Sequence, residues 1–376
     1  MALRRGHGEG SYYQRSDGRW EARVSVSGRR RSFYGPTKRD VMAKVREASA
    51  RPGYDLSSLD SRQTIAQFLT YWLKQVEEPR IGPLTYQSHE TAIRLHILPL
   101  LGRLRLSSLT PQQLQALYGE LASEGLSGAT VARVHAVLHA ALGHAVLVGA
   151  LGTNPADRVG KPRAGQREMR TLTFGEVVQL VNATGDPTRR ALYAVAATAG
   201  LRRGELLGLS WRDTDLALGR VHIQRTLQRL TGEGLVFLPP KTDHGRRTVD
   251  LTKFAIEALK ADRAAQRETR LRAGPSWNGQ EDLVFASSVG TPMEASYLSK
   301  LFKRDLEAAG LGQMRFHELR HTAATLLLGS GTSPKVAQEM LGHSRVAITL
   351  DLYSHVQPTL QAEAVAVLDR LLEAAR

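Results

Sequence analysis

The stretch Thr198–Leu216, TAGLRRGELLGLSWRDTDL, decides how the C-terminal half of this 376-residue chain is read. The apolar run before it, RRALYAVAATAG, has helical periodicity and must stop at Gly200, because glycine enters the left-handed C-cap conformation without a Cβ penalty. A second helix starts just beyond, so Arg202 sits at a turn and Glu205 lies one helical turn further on. A carboxylate at that spacing can hold the guanidinium rigid. Surface ion pairs with the same spacing are common, so the segment carries little by itself.

Three further segments lie downstream. Leu235–Leu251, LVFLPPKTDHGRRTVDL, alternates like a hairpin turning at Asp243-His244-Gly245. That places Lys241 at the end of the first strand, where an ammonium can reach a phosphate or a leaving oxygen. In Arg315–Leu328, RFHELRHTAATLLL, His317 and Arg320 are three apart and share one helix face. Ser333-Pro334 starts a short helix that ends at Gly342, His343 follows at once, and the next helix carries Tyr353. Upstream of Gly200, TFGEVVQLV reads as a helix, and Asp186-Pro187 caps the apolar one. With β-like runs at Val221–Leu227 and Leu235–Leu238, this half is mostly helical with one small antiparallel sheet.

The N-terminal half divides differently. SYYQRSDGRWEARVSVSGRRRSFYG, from Ser11, reads as two or three short strands broken at Asp17-Gly18 and Ser27-Gly28, with a helix from Thr37. Tyr12, Trp20, Phe33 and Tyr34 are expected to pack its small core. Arg29, Arg30 and Arg31 cluster near a turn, either meeting phosphates or merely solvated. After a linker at Arg51–Asp60, four amphipathic segments predict four helices, with Thr110-Pro111 starting one and Gly102, Gly125 and Gly149 ending others. His135, His139 and His144 have no companion ligand and read as core or surface groups rather than a metal site. A second linker, Gly152–Arg170, rich in Gly, Pro and basic residues, marks a domain boundary.

The chain is long enough for two or three domains, and its formal net charge of +15 suits a polyanion. Anionic membranes and plain solubility are the competing explanations. With no cysteine there is no disulfide, thiolate nucleophile or cysteine zinc site, which fits a reducing compartment. Met1–Gly10 lacks an apolar signal core, and no stretch looks close to the ~20 apolar residues of a membrane span. A soluble, cytoplasmic protein is expected.

GLRRGE, PKT, HELRH, LGHS and LYSHV, in that order, resemble the catalytic boxes of the tyrosine recombinases, the phage integrase family. The resemblance covers roughly Arg167 to the C-terminus. It implies Arg202, Lys241, His317, Arg320, His343 and Tyr353 as the catalytic set, with Glu205 at the acidic position that supports the first arginine. It also implies a multidomain, mainly α protein: a small sheet-plus-helix arm-type DNA-binding module over 1–55, a helical SAM-like core-binding domain over 60–157, and a mostly α catalytic domain over 166–376. Implied partners are double-stranded DNA at core and arm-type sites, three further copies in a DNA-bound homotetramer, and an accessory directionality factor. No membrane partner is expected. The final segment, TLQAEAVAVLDRLLEAAR, carries Leu360, Val365, Leu368, Leu371 and Leu372 at helical spacing and needs an apolar groove, in its own subunit or a neighbour's.

The implied reaction is transesterification through a 3′-phosphotyrosine, in which Arg202 and Arg320 fork onto phosphate oxygens, Lys241 protonates the departing 5′ oxygen, and His317 and His343 handle protons and hydrogen bonds. Bond energy is kept in the phosphotyrosine, and the cationic side chains neutralise the phosphate. Hence no ATP, metal or other cofactor is expected. Three rivals remain. HELRH also fits H-E-x-x-H, the zinc-peptidase helix, with Glu339 as a conceivable third ligand, but that leaves Arg202, Lys241, His343, Tyr353 and the basic charge unexplained. A DNA-architectural protein or repressor would use the charge without the catalytic residues. A type IB topoisomerase would share the phosphotyrosine but reseal the original strand; the arm-like module favours site-specific integration.

Overall fold

Ser11–Gln14 (β1), Trp20–Val26 (β2) and Arg29–Gly35 (β3) form an antiparallel sheet in that order, followed by the helix Lys38–Ser49 (α1). Thr37 and Asp40 start the helix reciprocally: the Asp40 amide donates to Thr37 Oγ1 at 3.2 Å, and the Thr37 amide donates to Asp40 Oδ2 at 3.2 Å. Of the aromatic residues expected in the core, Trp20 and Phe33 are half-buried and Tyr34 is not part of it. Ala22 and Val41 are fully buried, whereas Tyr34 is exposed beside Arg15, and Lys38 Nζ lies 5.6 Å from the Trp20 ring. Aromatic faces on so small a module lie within reach of its many cations, and a cation over a ring is favourable. The backbone of Arg29–Arg31 runs in β3.

This is a computed structural model that describes residues 11–15, 18–26, 29–49, 63–161, 169–240, 245–342 and 373. Lys241, His343, Tyr353, the expected turn at Asp243-His244, the linker at 51–60, the C-terminal segment from Thr359 except Glu373, and the side chains of Tyr12 and Arg29–Arg31 lie outside the described residues. The chain divides into two compact units, Met1–Gln166 and Arg167–Arg376.

The helical part of the first unit contains the four expected segments. Ile65–Tyr71 (α2) runs on through a π-helical stretch, Trp72–Glu77. Pro83–Ala92 (α3) passes through another, Ile93–Ile97, into Leu98–Leu101 (α4). Pro111–Ser123 (α5) and Gly128–Leu147 (α6) complete the set. Thr64 and Thr110 each form a capping box with a glutamine at N3. Gly125 and Gly149 take φ of +86° and +77° at helix ends, while Gly102 keeps a helical φ of −56°. Ile65, Phe68, Trp72, Ile97, Leu114 and Leu138 form the buried core.

Two expectations change here. Gly152–Arg170 is not a linker throughout, because Pro155–Arg158 forms a helical turn and Ala156 and Val159 are buried in the helical core. His139 Nε2 meets Asp157 Oδ1 at 2.9 Å across that contact. Helix α6 is also long and apolar enough to cross a membrane by length and composition alone, contrary to the sequence count. Its residues Val134, Leu138, Ala141 and Ala145 are buried among the other helices, as in the core helix of a folded domain. The three α6 histidines are built into this fold. His135 Nδ1 lies 3.0 Å from the buried Tyr118 hydroxyl, and burial lowers the pKa of both His135 and His144.

In the second unit, Phe174–Ala183 (α7) and Pro187–Ala199 (α8) precede the short Arg203–Leu207 (α9). Thr214–Asp215 (β4), Arg220–Ile223 (β5), Thr226–Leu230 (β6), Gly234–Leu238 (β7) and Arg247–Asp250 (β8) follow. Then come Lys253–Ala273 (α10), Ala295–Ala308 (α11), Glu318–Gly329 (α12) and Pro334–Leu341 (α13). The expected single sheet is two: β4-β5-β8 and the hairpin β6-β7, all antiparallel. The expected β7–β8 hairpin does not form, since β7 pairs with β6 and β8 with β5. The run Val221–Leu227 breaks at Arg225, whose Nε donates to the Gly208 carbonyl at 2.9 Å while its guanidinium pairs with Glu281 and lies 4.2 Å from the Phe237 ring centroid. Anchored on three sides, Arg225 leaves the strand ladder.

Helix α8 is the centre of this unit, buried on nearly every side from Ala191 to Ala199. A buried polar cluster fixes α11 against it: Arg189 Nη1 donates to both Asp305 oxygens at 2.6 and 2.7 Å, and Tyr193 donates its hydroxyl hydrogen to Asp305 Oδ2 at 2.7 Å. Every one of those buried groups is partnered, as burial demands.

Candidate active site

Helix α8 ends at Gly200, φ +63°, where a Cβ would lie 2.3 Å from Leu341 Cδ2 and 3.1 Å from Ala323 Cβ. Only glycine allows both that backbone and the close approach of α12 and α13. The chain then turns so that Arg202 becomes the N-cap of α9. The Arg202 amide donates to Glu205 Oε2 at 2.9 Å, Nη1 donates to Glu205 Oε1 at 2.7 Å, and Nη2 donates to the Gly342 carbonyl at 2.6 Å. The expected support of Arg202 by Glu205 is therefore present, and Glu205 is only 3% exposed.

A second guanidinium, which sequence reasoning missed, completes that carboxylate. Arg247 of β8 donates from Nη2 to Glu205 Oε2 at 2.9 Å and from Nη1 to Oε1 at 3.2 Å. Burial alone would raise the Glu205 carboxyl; hydrogen bonding and charge from Arg247, then Arg202, hold it below the ordinary carboxylate range. The only sequence signal for Arg247 was an arginine on a short β-run, which reads as a surface charge.

His317 is the N-cap residue of α12, and Arg320 follows one turn into the helix. Arg320 is 5% exposed, and its Nη1 donates to the Gly200 carbonyl at 2.7 Å. Its Nη2 is buried with no hydrogen-bond partner among the described residues. Burial, then the positive charge of Arg202, pulls this guanidinium down to about 9. His317 keeps an exposed face, yet desolvation by the surrounding chain, then the charges of His321, Arg320, Arg202 and Arg203, takes it down to about 4. Arg202, His317 and Arg320 thus come together around a place deficient in negative charge. Beside it opens a cavity of about 750 Å³, bordered by His317, Arg203 and Gln228 over an apolar floor that includes Phe302 and Leu306.

The zinc reading of HELRH gains nothing from this geometry. Glu318 is buried and accepts from the Arg315 amide at 2.8 Å, the His317 and His321 rings meet edge to face at 5.4 Å, and Glu339 pairs with Lys335 at the surface. Among the described residues no three His, Asp or Glu side chains converge as metal ligands.

Residues 170–359 match the Phage integrase family, and residues 64–122 match the Phage integrase, N-terminal SAM-like domain. A tyrosine recombinase described as XerC-like, from Caldanaerobacter subterraneus subsp. tengcongensis, is 32% identical over 362 residues, covering 91% of this chain and 92% of that protein. Among solved structures, the Tn1549 transposon integrase in complex with a circular intermediate DNA superposes with a TM-score of 0.69 at 22% identity, covering 82% of this chain and 99% of that one. A lambda integrase dimer bound to a COC′ core site gives a TM-score of 0.58 at 21% identity, covering 93% and 96%. The family match and the 32% identical recombinase define a DNA strand-exchange enzyme. The chain belongs to the phage integrase family of tyrosine recombinases, the site-specific recombinases of phages and other mobile elements.

Proposed function

We propose that the chain cleaves and rejoins DNA through a 3′-phosphotyrosine, with Tyr353 as nucleophile and Arg202, Lys241, His317, Arg320 and His343 around the scissile phosphate. The observation that carries this reading is Arg320 Nη2, a buried guanidinium nitrogen without a partner among the described residues, beside Arg202 and His317. A cation so placed is satisfied by an anion with several acceptor oxygens, which a phosphodiester supplies. The Tyr353 oxygen attacks phosphorus, the P–O5′ bond breaks, and the 5′ oxygen leaves as a hydroxyl with a proton from Lys241. Beyond its bonds to Glu205 and Gly342, the Arg202 guanidinium has further N–H groups, with which it shares the non-bridging oxygens with Arg320. His317, neutral around pH 7, accepts the tyrosine proton, and His343 donates a hydrogen bond to the phosphate. Attack by a 5′ hydroxyl of the partner strand reverses these steps.

In this reading the segment 166–376 is catalytic, 60–157 grips core DNA, and 1–55, with Arg29, Arg30 and Arg31, contacts arm-type DNA. Four copies assemble on DNA, as the lambda integrase tetramer does on a Holliday junction. An accessory factor sets direction, no metal or nucleotide is consumed, and the enzyme works in the cytoplasm. The test is a suicide substrate bearing the cognate crossover site, incubated with chelator. A covalent protein–DNA adduct that Tyr353→Phe abolishes is expected; no adduct on a verified site overturns the reading.

A further inference from the structure

We infer that Arg247 is a positioning residue for strand transfer: one guanidinium locks the carboxylate that aims Arg202 and holds the last turn of α13, which leads into His343. The inference rests on the phosphotyrosine reading above. Arg247 makes contacts in two remote segments and in its own. Nη1 and Nη2 grip Glu205, on the turn of Arg202; Nε donates to the Met340 carbonyl at 2.8 Å; and Nη1 also donates to the Gly245 carbonyl at 3.2 Å, two residues back along its own strand. This side chain thus touches both the turn that carries Arg202 and the helix end that precedes His343 in the sequence.

The geometry is a closed ring. Glu205 accepts four hydrogen bonds, two from Arg202 and two from Arg247, which fills the capacity of a carboxylate. The two arginines in turn cap α13 at its C-terminus, Arg247 on Met340 and Arg202 on Gly342. A Cβ at Gly342 would stand 2.9 Å from Arg247 Nη1, and φ there is +67°, so the chain turns toward His343 against the guanidinium itself. The side chain of Arg247 is 8% exposed, so it meets the DNA through Arg202 and not directly. Lysine cannot reproduce this, because a point ammonium lacks the planar fork that engages both carboxylate oxygens.

The test compares wild type, Arg247→Lys, Arg247→Gln and Glu205→Gln in single-turnover adduct formation on the suicide substrate across pH, alongside core-site affinity and melting temperature. Misplacing Arg202 and the α13 end is expected to slow adduct formation by Arg247→Gln roughly 100-fold with affinity retained, with Arg247→Lys intermediate. A rising limb with pH is also expected in Arg247→Gln. Glu205 is then buried against only Arg202 and Arg320, holds its proton to higher pH, and serves Arg202 only once ionised. Glu205→Gln should be slow without that limb. Adduct formation by Arg247→Gln at the wild-type rate overturns the inference alone, as does a slow rate with an unchanged pH profile that tracks lost affinity and melting temperature. Absence of adduct from the wild-type chain on a verified site overturns the phosphotyrosine reading and this one with it.

Discussion

Arg320 donates from Nη1 to the carbonyl of Gly200 at 2.7 Å, joining a helix break to a helix start 120 residues further along the chain. The bond orients the guanidinium and leaves Nη2 buried without a partner among the described residues. A buried cation in that state costs stability, and hydrophobic replacement of buried charged groups is often stabilising by about 1–4 kcal/mol. Arg320→Met is therefore expected to melt at or above the wild-type temperature while adduct formation falls by about 100- to 1000-fold, the loss typical of a removed transition-state donor. Paired thermal melts and cleavage assays check both halves.

His317 should remain neutral through the physiological range. Its folded pKa of about 4 lies below the ordinary histidine value, so the unfolded chain binds the extra proton first as pH falls. Stability is full above roughly pH 6.5 and is lost as pH drops from there toward 4. His317→Asn should flatten that part of the melting-temperature profile, and the His317 ring resonances of the free protein should stay fixed between about pH 5.5 and 8.

Asp262 titrates in the opposite sense. It is completely buried in α10, Thr188 Oγ1 donates to its Oδ1 at 2.6 Å, and Oδ2 has no partner among the described residues. Burial, opposed by that hydrogen bond and reinforced by Asp186, raises its pKa to about 7. The folded state holds the proton longer than the unfolded one, so stability contributed below the unfolded carboxyl pKa, about 4, declines as pH rises toward 7. Asp262→Asn keeps the acceptor for Thr188 and removes the ionisation. Its melting temperature should exceed wild type by a margin that grows from about pH 4 to about pH 7 and then levels off.

The Arg189–Asp305–Tyr193 cluster holds α11 beside the second unit's central helix, α8. Asp305→Ala leaves the half-buried Arg189 guanidinium with only Asp186 as an acidic partner, at an expected cost of about 2–3 kcal/mol. Tyr193→Phe removes one hydrogen bond and should cost about 1 kcal/mol. Denaturant unfolding of the two variants, read as a shift in midpoint, gives both numbers.

Local chemistry was legible from the sequence. Thr110-Pro111, Asp186-Pro187 and Ser333-Pro334 start helices, and Gly200 and Gly342 end them, because capping depends on a few adjacent residues. The pairing of Arg202 with Glu205 was legible for the same reason, as one helical turn separates them. The ordered boxes around Arg202, His317 and Arg320 announced the family because reactive residue types and tight turns recur together at short range.

Tertiary structure alone decided the rest. Strand partners were misassigned because β7 and β8 alternate equally well in either pairing, and only Arg225, anchored to Gly208, Glu281 and Phe237, splits the β5–β6 run. Tyr34 read as core until the small module proved to bury Ala22 and Val41 instead. Arg247 carried no sequence signal, since an arginine's role depends on what lies at the end of a long side chain. Residue types and turns are written over a few positions, but whether a charge faces water or closes a ring with Glu205 is set by segments that meet only when the chain has folded.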